Sequence, residues 1–141
     1  MNITINTDGG FTSHPSVIVT RAAISFIIRV EGIVNYTHSS EVDAHTNNQA
    51  EYLALLKGLK YITDNFSADA ITNVEHISDS KLLVEHFNET YKVKEPELIE
   101  LMKQIKGYTT LLLNDKVTSR HVKRSENSDA DWLCNLILDK F

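Results

Sequence analysis

Four acidic residues of this chain could do chemistry together: Asp8 in TDGG, Glu51 in NQAEYL, Asp79 in ISDSKL and Asp131 in SDADWL. Carboxylates crowded into water-poor surroundings repel one another unless cations neutralise them. Hard oxygen ligands with open coordination positions suit Mg²⁺ or Mn²⁺. Two such ions about 4 Å apart can activate water and stabilise the leaving oxygen of a phosphoryl displacement. If the four acids meet in the fold, they predict a metal-dependent nuclease.

Each acid also has a structural explanation when it is taken alone. Asp8 is followed by two glycines, which is typical of a turn. Glu51 and Asp131 each follow a small polar residue by three positions, as the acid of a helix capping box does. Asp79 precedes a predicted helix and could be its N-terminal cap. Only convergence on one site favours the catalytic interpretation.

The strands that would position these acids are predicted mainly in the first third of the chain. Residues 3–7 alternate apolar and polar side chains and run into Asp8-Gly9-Gly10, which predicts a strand that ends in a turn. AAISFIIRV from Ala22 and IVNYTHS from Ile33 flank Glu31-Gly32, which predicts two strands joined by a tight hairpin. Later strands are predicted at residues 72–78 and 117–122.

Helices are predicted where apolar side chains recur every three or four residues. The first covers about residues 48–65, a brief one follows Asp79, a third begins near Pro96 and ends at Asn114-Asp115, and the last covers residues 130–141. The side chains predicted to face inward are Tyr52, Leu55, Leu56, Leu59, Ile62 and Phe66 in the first helix, Leu82, Leu83 and Phe87 in the second, Leu98, Met102, Ile105 and Leu112 in the third, and Leu133, Leu136, Ile137 and Phe141 in the last.

The predicted order of elements is βββαβααβα, which indicates an α/β fold. One mixed sheet of five strands with helices on both faces satisfies this order. The 141 residues are 42% hydrophobic and fit one domain over residues 1–141. Two acids would then lie at strand ends and two at helix starts, so their side chains are expected to converge.

The charge of the chain argues against broad electrostatic capture of nucleic acid. The formal net charge is −5 at pH 7 and the pI is about 5.6, whereas nucleic-acid binding usually shows as a basic patch. Two divalent cations at the four acids would add four positive charges and leave −1. Part of the acidity is therefore attributed to the metal site.

No segment resembles a membrane span or a secretion signal. The first residues lack a basic start followed by a long apolar run, and no stretch approaches about 18 apolar residues. A soluble, cytoplasmic protein is expected. The single cysteine, Cys134, cannot form an internal disulfide and is expected to be a reduced core residue.

The motifs around the four acids resemble, in order, the four motifs of type 1 ribonuclease H. They are TDGG with Asp8, TNNQAEYLAL with Glu51, SDSKLL with Asp79 and ENSDADWL with Asp131, and together they span nearly the whole chain. The resemblance implies the ribonuclease H-like fold and hydrolysis of the RNA strand of RNA–DNA hybrids, with 3′-hydroxyl and 5′-phosphate products. It is a resemblance to the compact members, which lack a basic protrusion.

The resemblance also implies a role for each acid. Asp8 would bridge two Mg²⁺ ions, for which Mn²⁺ could substitute. Glu51 and Asp79 would hold the ion on the leaving-group side, and Asp131 would help to hold the ion on the nucleophile side.

Substrate contacts are implied in the same way. Asn47, Asn48 and Gln49 would lie near the RNA minor groove, where amides can sense 2′-hydroxyl groups. Thr46 and Asn127 could contact phosphate, although Thr46, Asn47 and Asn48 could equally serve as helix caps. The predicted substrate-binding set is Gly9, Gly10, Thr46, Asn47, Asn48, Gln49, Ser80, Arg124 and Asn127.

Two departures from the family pattern bear on function. The short segment NETYKVKEP, with Lys92 and Lys94, replaces the basic protrusion, so low affinity for hybrid is expected. Some relatives carry a histidine in a loop after the last strand, but here the nearest, His121, is predicted within the strand and the loop reads KRSEN. We expect a structural role for His121, while Lys123 and Arg124 could meet phosphate.

Two other functions stay open at the level of sequence. A non-catalytic nucleic-acid-binding or adaptor module on the same fold would cleave nothing with any metal. A DNA-joint resolvase or transposase core would usually bring larger basic surfaces or extra domains. A monomer is favoured for the chain, with an RNA–DNA hybrid as its partner and no membrane association.

Overall fold

The computed structural model describes residues 1–13 and 20–139. Its strands are β1 (Asn2–Ser13), β2 (Thr20–Val30), β3 (Ile33–Val42), β4 (Asn73–Ser78) and β5 (Val117–His121). Its α-helices are α1 (Asn47–Asn65), α2 (Lys81–Phe87), α3 (Pro96–Gly107) and α4 (Ser128–Leu138). The predicted order βββαβααβα is confirmed. No helix in these ranges is long and apolar enough to cross a bilayer.

The five strands form one mixed sheet in the order β3-β2-β1-β4-β5. β1 pairs antiparallel with β2 and β2 with β3, whereas β4 is parallel to both β1 and β5. Glu31 and Gly32 adopt positive φ angles of 51° and 79°, which a tight hairpin between β2 and β3 requires. The predicted hairpin is therefore confirmed, and β1 lies at the centre of the sheet.

The prediction that the first strand ends in a turn at Asp8-Gly9-Gly10 is wrong. β1 continues to Ser13, because β2 remains paired with it up to the pair of Ser13 with Thr20. The two glycines are extended strand residues whose missing side chains allow close packing. A Cβ on Gly9 would lie 2.3 Å from the Glu51 backbone nitrogen.

Helices α1 and α4 pack on opposite faces of the sheet, as predicted. Gly58 of α1 lies against Ile5 of β1, whereas Gly10 of the same strand faces Cys134 of α4. Residues 5 and 10 differ by an odd number, and alternate residues of a strand point to opposite faces. The main core lies on the α1 face, where Ile5, Phe26, Leu55 and Leu59 are buried together with residues of α3.

The third helix departs from the predicted apolar phase at its end. Leu98, Met102 and Ile105 are buried as predicted, but Leu112 is 51% exposed and Leu113 is buried in its place. After Gly107 the chain enters a π-helical segment, Tyr108–Leu112, whose wider turn adds a residue and shifts the phase by one. The predicted end at Asn114 and Asp115 holds, since both adopt positive φ.

The last helix departs from its predicted inward face at Leu136, whereas Leu133 and Ile137 are partly buried. Leu136 is 40% exposed, and the fully buried residues are Ala130 and Cys134. These small side chains let α4 approach the sheet where Gly10 leaves space, so bulky Leu136 points outward. Cys134 is a free, buried cysteine, as expected of a core residue, and burial raises the pKa of its thiol. Phe141, also predicted inward, lies outside the described residues.

We expect Gly9→Ala to destabilise the protein because its methyl group would collide with the backbone of Ala50 and Glu51, at 2.3 to 2.6 Å. Backbone cannot rotate away as a side chain can, so the loss should be about 2–3 kcal/mol in the free energy of unfolding. Urea denaturation of the parent and the variant measures this loss in the free energy of unfolding.

Gly107→Ala is the matched control. Nothing lies within 4 Å of a Cβ there, and Gly107 has helical backbone angles, so alanine should stabilise by about 0.5–1 kcal/mol. Equal effects of the two substitutions would contradict the close packing of β1 on α1.

Candidate active site

Strand register brings Asp8 and Asp79 together. The parallel pairing of β1 with β4 ends at Asn6 and Ile77, and each acid lies two residues beyond its member of that pair. β4 ends at Ser78 while β1 continues, so Asp79 leaves the sheet beside the Asp8 side chain. Asp8 thus lies within β1 and not at its end, the position that the sequence predicts. It lies next to the point where the neighbouring strand β4 ends.

The start of α1 brings Glu51 to the same place. Gly9 lies against the backbone of Ala50 and Glu51, so the first turn of the helix sits directly on β1. Capping at this helix is done by other residues. Thr46 Oγ1 accepts a hydrogen bond from the Gln49 backbone N–H at 3.1 Å, and Gln49 Oε1 accepts one from the His45 N–H at 2.8 Å. Glu51 is therefore free of the capping role that its sequence context suggested.

Asp131 arrives from the opposite face of the sheet. Ser25, the cross-strand partner of Asp8, donates a hydrogen bond from Oγ to the Ala130 carbonyl oxygen at 2.5 Å. This bond fixes the first turn of α4 and places the next residue, Asp131, near Asp8. Asp131 accepts a hydrogen bond from Arg124 at 3.0 Å, whereas the start of α4 has no side-chain cap, so the predicted capping box with Ser128 is absent.

Asp79 is likewise not a helix cap. Ser80 occupies the cap position of α2, and its Oγ accepts a hydrogen bond from the Leu83 backbone N–H at 3.3 Å. The structural explanations offered for Glu51, Asp79 and Asp131 are therefore met by other residues, and the turn proposed at Asp8 does not form. None of the four carboxylates is needed for local structure in the way that its sequence context suggested.

The four acids line one cleft of about 520 Å³. Asp8, Glu51 and Asp79 each offer a carboxylate oxygen within 4.8 Å of the others. Asp131 lies outside that group of three but lines the same cleft, together with Arg124. The expected convergence of the four positions on a single pocket is therefore found.

Burial and mutual repulsion alter the titration of two of these acids. Burial first, and then the charge of Asp79, raise the pKa of Asp8 from 3.8 to about 7, with only 6% of the residue exposed. Burial first, and then the charges of Asp8 and Asp79, raise the pKa of Glu51 well above its usual range. Both carboxyl groups therefore bind a proton more tightly than free acids do, because burial and neighbouring negative charge disfavour the ionised form.

The arrangement fits a divalent metal ion. Glu51 Oε2 is buried and has no hydrogen-bond donor among the described residues, although buried oxygens are usually paired. Three carboxylates with one unpartnered oxygen form the hard, anionic donor set that Mg²⁺ and Mn²⁺ prefer. A cation there would neutralise the repulsion that raises the pKa of Asp8.

Asn127 holds the elements around the cleft together. Its side-chain N–H donates to the Thr7 carbonyl oxygen at 2.9 Å and to Asp79 Oδ1 at 3.4 Å, and its Oδ1 accepts from Asn6 at 3.1 Å. The residue is 2% exposed. In this structure the Asn127 amide is engaged with β1 and Asp79. The phosphate contact that the resemblance implies for Asn127 stays a prediction.

A neutral histidine ties the three strands beneath the acids. Thr7 Oγ1 hydrogen-bonds His76 Nε2 at 2.8 Å, and His76 Nδ1 hydrogen-bonds Ser119 Oγ at 2.8 Å. Complete burial lowers the pKa of His76 to about 3. Since the imidazole is neutral, it links β1, β4 and β5 without adding charge next to Asp8. No sequence pattern indicated this role.

The other predicted contacts are placed as follows. Gly9, Asn47, Asn48, Ser80 and Arg124 line the cleft with the acids. Thr46 and Gln49 are engaged in capping, and Gly10 packs against Cys134 and Leu138. The cleft residues that the sequence prediction missed are Phe11, Lys81, Leu82, Asn135 and Leu138. His121 is exposed at the end of β5, in the strand as predicted.

A larger groove, of about 640 Å³, lies between β3 and α1 but contains none of the four acids. Its rings pack on one another: Tyr36 stacks on Tyr61 at 3.9 Å and Phe26 stacks on His38 at 4.9 Å. We therefore assign the chemistry to the smaller acidic cleft.

Comparison with known proteins supports the expected fold. The sequence model described as reverse transcriptase-like matches residues 6–137. A bifunctional protein of Mycobacterium tuberculosis is 28% identical over 99% of this chain, which spans 36% of that protein's length. The chain thus spans about a third of this curated relative.

Two solved structures are similar over nearly their whole length. A ribonuclease H1 isolated from compost, solved in complex with an RNA/DNA hybrid, has a TM-score of 0.87 and 32% identity, over 98% of this chain and 97% of that one. Ribonuclease H1 of the halophilic archaeon Halobacterium salinarum has a TM-score of 0.83 and 25% identity, over 100% of both chains. The expected fold is thereby confirmed.

Asp8→Asn should stabilise the metal-free protein at pH 8. The folded-state pKa of Asp8 is raised to about 7, so the folded protein holds a proton that the unfolded chain releases. The free energy of unfolding of the unmodified chain therefore falls as pH rises from about 4 to about 7. We expect a gain of up to about 4 kcal/mol at pH 8 and a much smaller one at pH 4, measured by urea denaturation in EDTA. A variant equally stable to the parent at both pH values would show that Asp8 is not under strain.

Millimolar Mg²⁺ should raise the melting temperature at pH 8, because it binds only the folded cluster. At ten times the dissociation constant the stabilisation is about 1.4 kcal/mol, or roughly 4 °C. Asp79→Asn should abolish the shift, and Asp129→Asn, an exposed change outside the cleft, should keep it. Absence of a shift in the parent, with no metal bound by calorimetry, would rule the metal site out.

Proposed function

This chain belongs to the type 1 ribonuclease H family, and we propose that it is a metal-dependent endonuclease that hydrolyses the RNA strand of RNA–DNA hybrids. The observation that carries the proposal is the convergence of Asp8, Glu51 and Asp79 within 4.8 Å, with Asp131 in the same cleft. These positions belong to the four motifs on which the family resemblance rests.

The proposed metal ligands are the four acids. Asp8 is the central one, because the charges of Asp79 and Asp131 and a hydrogen bond with Glu51 all act on its titration. We propose that the four acids would hold two Mg²⁺ ions, that Asp8 would contribute to both sites, that Glu51 and Asp79 would contribute to one site and that Asp131 would contribute to the other. Mn²⁺ would be accepted as a substitute, since the donors are all hard oxygens. When bound, such ions would supply the Lewis acidity that polarises a phosphate ester and activates water.

The protein's own groups would position the substrate around that centre. Asn47 and Asn48, exposed at the start of α1, present side-chain amides to the cleft, where they could read 2′-hydroxyl groups in the minor groove. Arg124 is 73% exposed and bonds Asp131, so its guanidinium can turn to a phosphate oxygen once another cation neutralises that carboxylate.

Hybrid as the substrate is supported by the compost-derived relative, which was solved with an RNA/DNA hybrid and is 32% identical to this chain. Between α2 and α3 the chain carries the short segment NETYKVKEP, in which the two lysines, Lys92 and Lys94, are exposed and are balanced by two glutamates. We therefore propose weak binding of hybrid and a shallow dependence of affinity on salt concentration, because few phosphates would be neutralised by basic side chains.

Incubation with a hybrid oligonucleotide and Mg²⁺ or Mn²⁺ should cleave the RNA strand to 3′-hydroxyl and 5′-phosphate ends. Asp8→Asn should reduce the cleavage rate by at least about a hundredfold, because it removes the carboxylate that is proposed to contribute to both metal sites. The product ends are identified by mass spectrometry, and cleavage should stop in EDTA.

Asp129→Asn is the matched control, since Asp129 is 71% exposed and bonds Arg29 away from the cleft. It should cleave at the parental rate. Hybrid binding without cleavage in either metal would instead support the non-catalytic module. Equal activity of Asp8→Asn and the parent would remove the acidic cluster from the reaction.

A further inference from the structure

Two basic side chains among the described residues line the acidic cleft, and they behave differently. Arg124 bonds Asp131 at 3.0 Å. Lys81 is exposed at the start of α2 and, within residues 1–13 and 20–139, forms no ion pair with any carboxylate of the same cleft. An ammonium on a flexible stem beside four acids would be expected to pair with one of them if neutralisation were its role. Its charge is therefore available to a ligand.

The two cations enter the cleft from opposite sides of the sheet. Helix α2 packs on α1 and α3, so Lys81 belongs to the α1 face, whereas Arg124 bonds an acid of α4 on the other face. Asp8 lies between them in the central strand. A polyanionic strand that crossed the acids would meet one cation on each side.

The formal charge of the cleft determines whether it attracts or repels a phosphate chain. Four carboxylates and two basic side chains give it a formal charge of −2, which repels a phosphate chain. Two divalent ions would add four positive charges and reverse it to +2. The rest of the chain offers no net compensation, since the whole chain carries −5 and the residues outside the cleft therefore carry −3. Cations at the cleft itself must therefore supply much of the attraction for substrate.

We propose that Lys81 binds a phosphate of the cleaved strand on the α2 side of the cleft, opposite Arg124. This inference rests on the proposed nuclease function and adds to it a substrate-binding residue. Lysine acts on phosphate as a point charge, so the contact should be independent of base sequence. It should support binding of the strand more than the chemical step.

The test is steady-state cleavage of a hybrid in Mg²⁺ by the parent, Lys81→Ala and Lys81→Arg over a range of KCl concentrations. Lys81→Ala should raise KM about three- to tenfold and change kcat less than about twofold, because it removes one charge-assisted contact. The slope of log kcat/KM against log salt should become shallower by about one. Lys81→Arg should keep most of the parental KM and slope.

Lys103→Ala is the control, because Lys103 is exposed on α3, which contributes no residue to the cleft. Its kinetics should match the parent. If the alanine variant does not fold, Lys81→Gln removes the same charge with a side chain of similar reach. Lys81→Ala kinetics indistinguishable from those of Lys103→Ala, or a loss of kcat in Lys81→Ala with KM and slope unchanged, would overturn this inference alone. A parent chain that cleaves nothing overturns the proposed function and this inference together.

Discussion

Mutual repulsion among carboxylates is the constraint on which the rest of this structure depends. Asp8 and Glu51 are held close to Asp79 in a partly buried cleft, and burial with like charge raises the pKa of both groups. An arrangement of this kind opposes its own formation in the absence of a cation. It persists only if contacts elsewhere fix the backbones that carry the acids.

Those contacts are of three kinds, and none of them uses a carboxylate. Strand register places Asp79 level with Asp8. The missing side chain of Gly9 lets the first turn of α1 rest on β1, which brings Glu51 near. A hydrogen bond from Ser25 to the carbonyl oxygen of Ala130 fixes the start of α4. Other contacts therefore fix the backbone that carries each acid, and Glu51 Oε2 has no hydrogen-bond partner among the described residues.

The polar groups that support the cleft from within carry no charge. His76 is neutral at physiological pH and bridges Thr7 and Ser119, while Asn127 bonds β1 and Asp79 through an amide. Charged groups at these positions would have changed the electrostatics of Asp8, whereas satisfied neutral groups hold strands without doing so. Cationic side chains appear at the exposed rim, as Arg124 and Lys81.

The sequence by itself determined the order of elements and the identity of the candidate acids. Periodicity is a local property, so the helix over Asn47–Asn65 and the hairpin at Glu31 and Gly32 could be predicted from neighbouring residues. The motif resemblance likewise depends only on residue types and their order. None of these signals depends on contacts between segments that are distant in the chain.

Only the tertiary structure decided how those parts meet. Asp8-Gly9-Gly10 has the composition of a turn, yet it is strand, because pairing with β2 and packing of two helices override local preference. The inward face of α4 is set by the space above Gly10, and the phase of the third helix by a π-helical segment. His76, Asn127 and Lys81 acquire their roles from residues that are distant in the chain, and no local pattern encodes such neighbours.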